Sequence, residues 1–299
     1  EAYAAFSKAV ELDPNSLEPR LQLGRLYLMA RDSEKAREQA RLILEKDPKN
    51  AQGHQLMSMV YLGDRKLPAA IAEAAKAVEA DPKRAETHLH LAGLHILNKD
   101  LPRAEEAFKA AVAAEPNSLQ ARLALAGFYA RSGRQKEAEE AYVETTKMAG
   151  KEPAAWIALG NFYIAQRRLE DAEKQFVQAA EVAPKKAAAL IYLGDFYMAW
   201  NKRDKALESY RKAADSEPDS IAPQVKLAEH YLADRKIDEA SKALEKIRKI
   251  NPKSHEATII QGRIHVAKNE FTEAVTLLQG YLKDNPKSAT GHYYLGLAQ

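Results

Sequence analysis

Proline marks this chain at a fixed interval. Pro14, Pro48, Pro82, Pro116, Pro184, Pro218, Pro252 and Pro286 stand 34 residues apart, except for one gap of 68 between Pro116 and Pro184. The missing mark falls on Gly150, a residue type that also ends helices. A strict period of this size is the signature of a stacked-repeat architecture, in which no unit buries its apolar face alone. The arithmetic closes without insertions: 16 residues, then eight units of 34 from Leu17 to Ser288, then 11 more. Length alone suggests two domains, but the unbroken period predicts a single array over residues 1–299. Because the chain opens at Glu1 and not at an initiator Met, it is expected to be a piece of a longer protein.

Within a unit, counted from Leu17 as position 1, apolar residues recur at helical spacing in two blocks. Position 7 is Leu23, Met57, Leu91, Leu125, Leu159, Leu193, Leu227 and Gln261, and position 8 is always small, as at Gly24, Ser58, Ala92 and Gly160. A ring stands at position 11: Tyr27, Tyr61, His95, Tyr129, Tyr163, Tyr197, Tyr231 and His265. In the second block position 20 is alanine without exception, from Ala36 to Ala274, and position 24 is often a ring, as at Phe108, Tyr142, Phe176 and Tyr210. Small residues at 8 and 20 let two helices approach closely, which predicts a helical hairpin with a first helix, A, and a second, B. The remaining prolines, Pro19, Pro68, Pro102, Pro153 and Pro223, all fit first helical turns, where the missing N–H costs little.

This pattern resembles the tetratricopeptide repeat, and the unit from Pro153 carries it whole: Trp156, Leu159, Gly160, Tyr163, Ala172, Phe176, Ala179 and Pro184. The resemblance runs through the entire chain. It implies an all-α fold, a right-handed superhelical solenoid of antiparallel helix pairs, with A helices lining a concave groove and B helices forming the convex wall. It also implies a protein-binding scaffold. Some members of the family clamp a peptide's terminal carboxylate with Lys at position 5 and Asn at position 9; here Asn161 stands at 9 but Ile157 at 5, so that function does not carry over.

Composition narrows the rest. An apolar share of 46% at a net charge of +3 excludes disorder, and no apolar run reaches the roughly 18 residues of a spanning helix. The chain has no cysteine, which removes disulfides, thiolate metal sites and a cysteine nucleophile. No phosphate loop, GxGxxG, HExxH or GxSxG motif is present, so no enzyme, cofactor or catalytic residue is expected. His88, His90 and His95, with His54 one unit earlier, could hold a divalent ion in principle. Positions 4 and 11 are core slots, however, and no carboxylate shares that stripe, so no metal is expected either.

The expected working surface is the groove. Position 5 reads Leu21, Gln55, Leu89, Leu123, Ile157, Ile191, Val225 and Ile259, and position 12 reads Leu28, Leu62, Ile96, Ala130, Ile164, Met198, Leu232 and Val266. A face meant only for solvent is polar, so this ladder either grips a guest or packs between neighbouring A helices. Position 10, with Leu94, Phe128, Phe162 and Phe196, already supplies packing of that kind. Between the ladders position 9 varies: Arg25, Met59, Gly93, Gly127, Asn161, Asp195, Glu229 and Arg263. Asn161, Asp195 and Glu229 are the expected polar selectors, the two acids favouring a basic group on a protein or peptide partner.

Further features bear on partners. The A-to-B turns carry Arg65-Lys66, Arg134, Arg167-Arg168, Lys202-Arg203 and Arg235-Lys236, a basic rim that either binds an anionic partner or merely caps helix ends. A nucleic acid is not expected, because a base-reading groove is basic and polar while this one is apolar. Trp200 lies outside the repeat pattern, as a binding hot spot or a rim contact with its own neighbours. The terminal half repeats lack a polar cap, so self-association through them is an expectation. Two rival readings remain open: a bacterial cell-envelope or exopolysaccharide-export component, and the substrate-selecting arm of a larger enzyme. The missing cysteines and the basic rim favour the bacterial periplasm over the cytoplasm.

Overall fold

The structure is a computed structural model that describes residues 2–183 and 185–299, so the repeat marker Pro184 lies outside the described residues. Every described element is a helix. Two compact units are present, Glu1–Ala149 and Gly150–Gln299. They divide where the periodic proline gives way to Gly150.

The first unit begins with the lone B helix α1 (Ala2–Leu12). Four hairpins follow: α2 (Leu17–Met29) with α3 (Ser33–Lys46), α4 (Ala51–Gly63) with α5 (Leu67–Ala80), α6 (Ala85–Leu97) with α7 (Leu101–Ala114), and α8 (Leu119–Arg131) with α9 (Gln135–Met148). The second unit holds α10 (Pro153–Ala165) with α11 (Leu169–Val182), α12 (Lys186–Ala199) with α13 (Arg203–Ser216), α14 (Ile221–Ala233) with α15 (Ile237–Ile250), and α16 (His255–Ala267) with α17 (Phe271–Asp284). It closes with the lone A helix α18 (Ala289–Ala298).

The turn joining A to B is the same device eight times. Position 15 lies in the left-handed region at Arg31, Arg65, Lys99, Gly133, Arg167, Asn201, Arg235 and Asn269. The next amide bonds back to the carbonyl of position 11, as Lys66 N to Tyr61 O at 2.8 Å, and the position-15 amide reaches position 12, as Arg65 N to Leu62 O at 3.0 Å. This doubly bonded helix end satisfies carbonyls the helix leaves orphaned. The B-to-A turn is capped from the other side: Asn50, Ser118, Ser254 and Ser288 accept from the amide three residues on.

Packing follows the repeat positions. Every alanine at position 20 is fully buried. The hydroxyl of Ser58, at position 8, donates to the carbonyl of Ala70, at position 20, over 2.7 Å, which puts the two small positions in direct apposition. The slot left by glycine at 8 is filled by the large residue at 24 in three units, with Phe176 against Gly160, Tyr210 against Gly194 and Leu278 against Gly262, and by Leu56 of the next A helix at Gly24. Position 10 then packs on the preceding B helix, as Phe128 on Phe108 at 5.3 Å and Phe196 on Phe176 at 4.9 Å between ring centroids. Within a unit, each paired B helix that an A helix follows therefore sits between its own A helix and that next one.

Successive A helices also touch directly: α2 with α4, α4 with α6 and α6 with α8 in the first unit, and α12 with α14, α14 with α16 and α16 with α18 in the second. Successive B helices show no comparable packing among the described residues. Within each unit the A row is thus the tight side and the B row the splayed one.

Candidate functional site

The free faces of the A helices carry the candidate residues, and the two units are described separately. In the first, Leu89, Ile96 and Leu123 are half-buried, while Leu21 and Gln55 at position 5 are buried. Met59 is exposed at position 9, as are Met29 and Leu97 at position 13. In the second unit Ile157, Ile191, Val225, Met198 and Leu232 are half-buried, and Ile164 is 39% exposed. Ile259, at 9%, is closed off. The ladder is therefore neither sealed nor fully open.

Position 9 has a role that its variability does not reveal. Asn161 Oδ1 accepts from the Tyr192 hydroxyl at 2.8 Å. Asp195 Oδ1 accepts from the Tyr210 hydroxyl at 2.7 Å and lies 3.0 Å from Lys226 Nζ. Glu229 Oε1 takes a bond from Arg263 at 3.4 Å, and the Arg263 guanidinium stacks over Tyr294 at 4.9 Å. Each of these polar groups ties its helix to the next A helix. Burial, and then the bond to Asp195, raise the Tyr210 phenol far above its ordinary range, so it stays a donor. A guest's basic group would share Asp195 and Glu229 with these cations.

Behind Met198 stands His230, whose Nδ1 lies 3.3 Å from the Met198 sulfur and whose Nε2 lies 3.3 Å from Asp234 Oδ2. Desolvation by burial pushes its pKa down, so it fills the position-10 core slot as a neutral ring.

Three histidines of the first unit have hydrogen-bond partners. His54 Nδ1 lies 2.7 Å from Glu73 and its Nε2 lies 3.0 Å from the Pro48 carbonyl, while His88 Nε2 holds the Pro82 carbonyl at 2.9 Å. His90 Nε2 meets the Ser58 hydroxyl at 2.8 Å. His95 is buried in the ring slot at position 11, with its pKa lowered by desolvation. Among the described residues no three His, Asp or Glu side chains are grouped to hold a metal ion.

The rim cations divide into two sets. Arg134 bridges Glu105 and Glu137, Lys202 lies 3.2 Å from Glu173, and Arg203 pairs with Asp234. Arg65, Lys66, Arg167, Arg235 and Lys236 are exposed. Lys66, Arg134, Arg168, Lys202 and Lys236 form the N-caps of B helices and make no side-chain cap bond, so they face the positive end of the helix dipole. End-capping of A helices is only half of their electrostatics. Trp200 is half-buried, with its ring 5.4 Å from Phe196 and Lys202 Nζ 3.1 Å above it, which is the rim contact with its own neighbours.

No helix among the described residues is long and apolar enough to cross a membrane.

Two family models of the tetratricopeptide repeat match the chain, one at residues 1–60, 97–161, 197–264 and 231–298, the other at 56–118 and 157–221. No curated protein matches it. Among solved structures it is similar to a tetratricopeptide repeat protein of Parabacteroides merdae, at 16% identity over 83% of this chain and 98% of that one, TM-score 0.48. PilF of Pseudomonas aeruginosa is 16% identical over 82% of this chain and 96% of that one, TM-score 0.46. The Cut9–Hcn1 assembly of APC/C matches at 18% identity and TM-score 0.47, over 88% of this chain and 52% of that one, so the chain spans about half the length of that relative.

Proposed function

Because the chain belongs to the tetratricopeptide-repeat family, with matches from its first helix to its last, we propose that it binds a peptide or amphipathic helix of a partner protein along the A-helix face of its second unit. The fold is that of a protein–protein interaction scaffold, and such repeat proteins are generally non-catalytic. One observation carries the finer reading: Ile157, Ile191, Val225, Met198 and Leu232 are half-buried and Ile164 is exposed, so each keeps apolar surface open to water. Burying what remains exposed contributes about 25 cal/mol for each Å² of apolar surface removed from water. The cross-helix bonds of Asn161, Asp195 and Glu229 hold the face in one shape before a guest arrives, which lowers the ordering cost of binding.

Selecting a displayed library of random peptides on the immobilised protein tests this. Enriched peptides are expected to carry spaced apolar residues and to lose at least tenfold in affinity against Ile191→Asp, while Lys212→Glu on the B side leaves them unchanged. Peptides indifferent to Ile191→Asp would sink the groove reading.

A further inference from the structure

Between α14, α16 and α18 lies an open recess of about 260 Å³ whose lining differs from the rest of the A face. Val225, Ile259 and Ile260 supply apolar surface, and Tyr281 and Tyr294 add aromatic rings. Two carboxylates reach it, Glu229 and Glu256, against one permanent cation, Arg263, and one titratable ring, His255, beside Glu256. Arg263 is already committed to Glu229 and to the face of Tyr294. Glu256 takes a 2.7 Å bond from Ser254 within its own helix cap. That bond and a backbone amide hold its carboxyl below the ordinary glutamate range, so it is charged at neutral pH.

From this balance we infer that the recess is an anchoring pocket for one cationic side chain, lysine or arginine, of the partner segment. The inference rests on the groove reading above and deepens it. The long aliphatic stem of such a side chain packs on half-buried Val225, as cationic residues do when they lie along apolar surface. Its charged head sits at the Glu229 and Glu256 carboxylates, so that two negative groups face two positive ones. A neutral or acidic side chain would leave the two carboxylates in excess over Arg263, which sets the specificity.

The test uses small probes and needs no knowledge of the partner. N-acetyl-lysine amide, N-acetyl-arginine amide and the uncharged N-acetyl-norleucine amide are titrated into the isotope-labelled protein. The methyl resonances of Val225, Ile259 and Ile260 report binding. The two cationic probes are expected to give saturable shifts at these methyls and norleucine amide at least fivefold weaker ones. Combined Glu229→Gln and Glu256→Gln changes should weaken the cationic probes about tenfold, and raised salt should weaken them too. Equal response to lysine and norleucine probes, or full retention of lysine binding by the double variant in a folded protein, would overturn the pocket. Methyl shifts with no peptide enrichment would leave the pocket standing and remove the groove reading; the reverse pattern removes the pocket alone.

Discussion

The indole Nε1 of Trp156 donates to the carbonyl oxygen of Gly150 at 3.0 Å. His54, His88 and His292 contact the carbonyls of Pro48, Pro82 and Pro286 from the same repeat position, and Arg122 donates to Pro116 O at 2.7 Å. In these repeats position 4 is thus a clasp: a side chain with a ring or guanidinium nitrogen tethers the carbonyl six residues earlier, at the turn where the chain enters the A helix. Trp156→Phe keeps the ring and removes the donor. Urea denaturation should show a loss of about 1 kcal/mol, the usual net worth of such a bond. An unchanged midpoint would mean that water replaces the indole without cost.

Glycine to alanine has opposite signs at two places in the array. At Gly160 an added Cβ would overlap the Phe176 ring, and overpacking of this kind costs roughly 1–3 kcal/mol. At Gly93 nothing lies within 4 Å of the same atom, and the residue is inside α6. Gly93→Ala should therefore stabilise by up to about 1 kcal/mol through helix propensity. Thermal melts of the two variants, read side by side, check both signs.

Gly133 is the one glycine among the eight left-handed turn residues, at φ +76°, with nothing near its Cβ direction. Gly133→Val meets no clash, yet a β-branched residue is poorly tolerated there, and a loss of about 1–2 kcal/mol is expected. Arg65→Gly, at φ 61°, should be neutral or mildly stabilising by the same reasoning. Chemical denaturation that ranks the pair the other way would refute the strain account.

Acid should loosen the first unit through Glu105. Hydrogen bonds from Arg134, and then from Lys109, hold its carboxyl down to about 2. A carboxylate depressed in the folded state contributes stability that is present above the ordinary glutamate value near ~4.3 and disappears as pH falls toward the folded value. The expected window is therefore about pH 4.5 down to 2. Glu105→Gln should flatten the stability profile there and lower the plateau above it. A profile unchanged in that window would rule out the linkage.

Much of the fold could be read from spacing, because the repeat repeats its physics. Alanine at 20, a small residue at 8 and a ring at 11 each answer one packing constraint, and the eight copies expose them. Four things were not legible. Arg, Lys and Asn at position 15 are ordinary surface residues in sequence, and only backbone geometry shows them carrying left-handed turns that glycine usually takes. The position-4 clasp was hidden because histidine, arginine and tryptophan do one job with different chemistry. At position 9, Asp195 and Glu229 looked free to meet a guest, since their partners Lys226 and Arg263 come from the next repeat and follow no fixed offset. The half-buried state of Ile157 and Ile191 depends on how far adjacent helices stand apart, which no local pattern states.

The asymmetry between the touching A helices and the splayed B helices has a mechanical meaning. Where successive A helices touch they form a seam, while the opposite side keeps open slots such as the one of about 530 Å³ floored by Leu190, Leu193 and Tyr197. Flexing then costs least when those slots widen or narrow and the seam keeps its length. A wedge pushed into a slot would straighten or tighten the unit without breaking one bond of the seam.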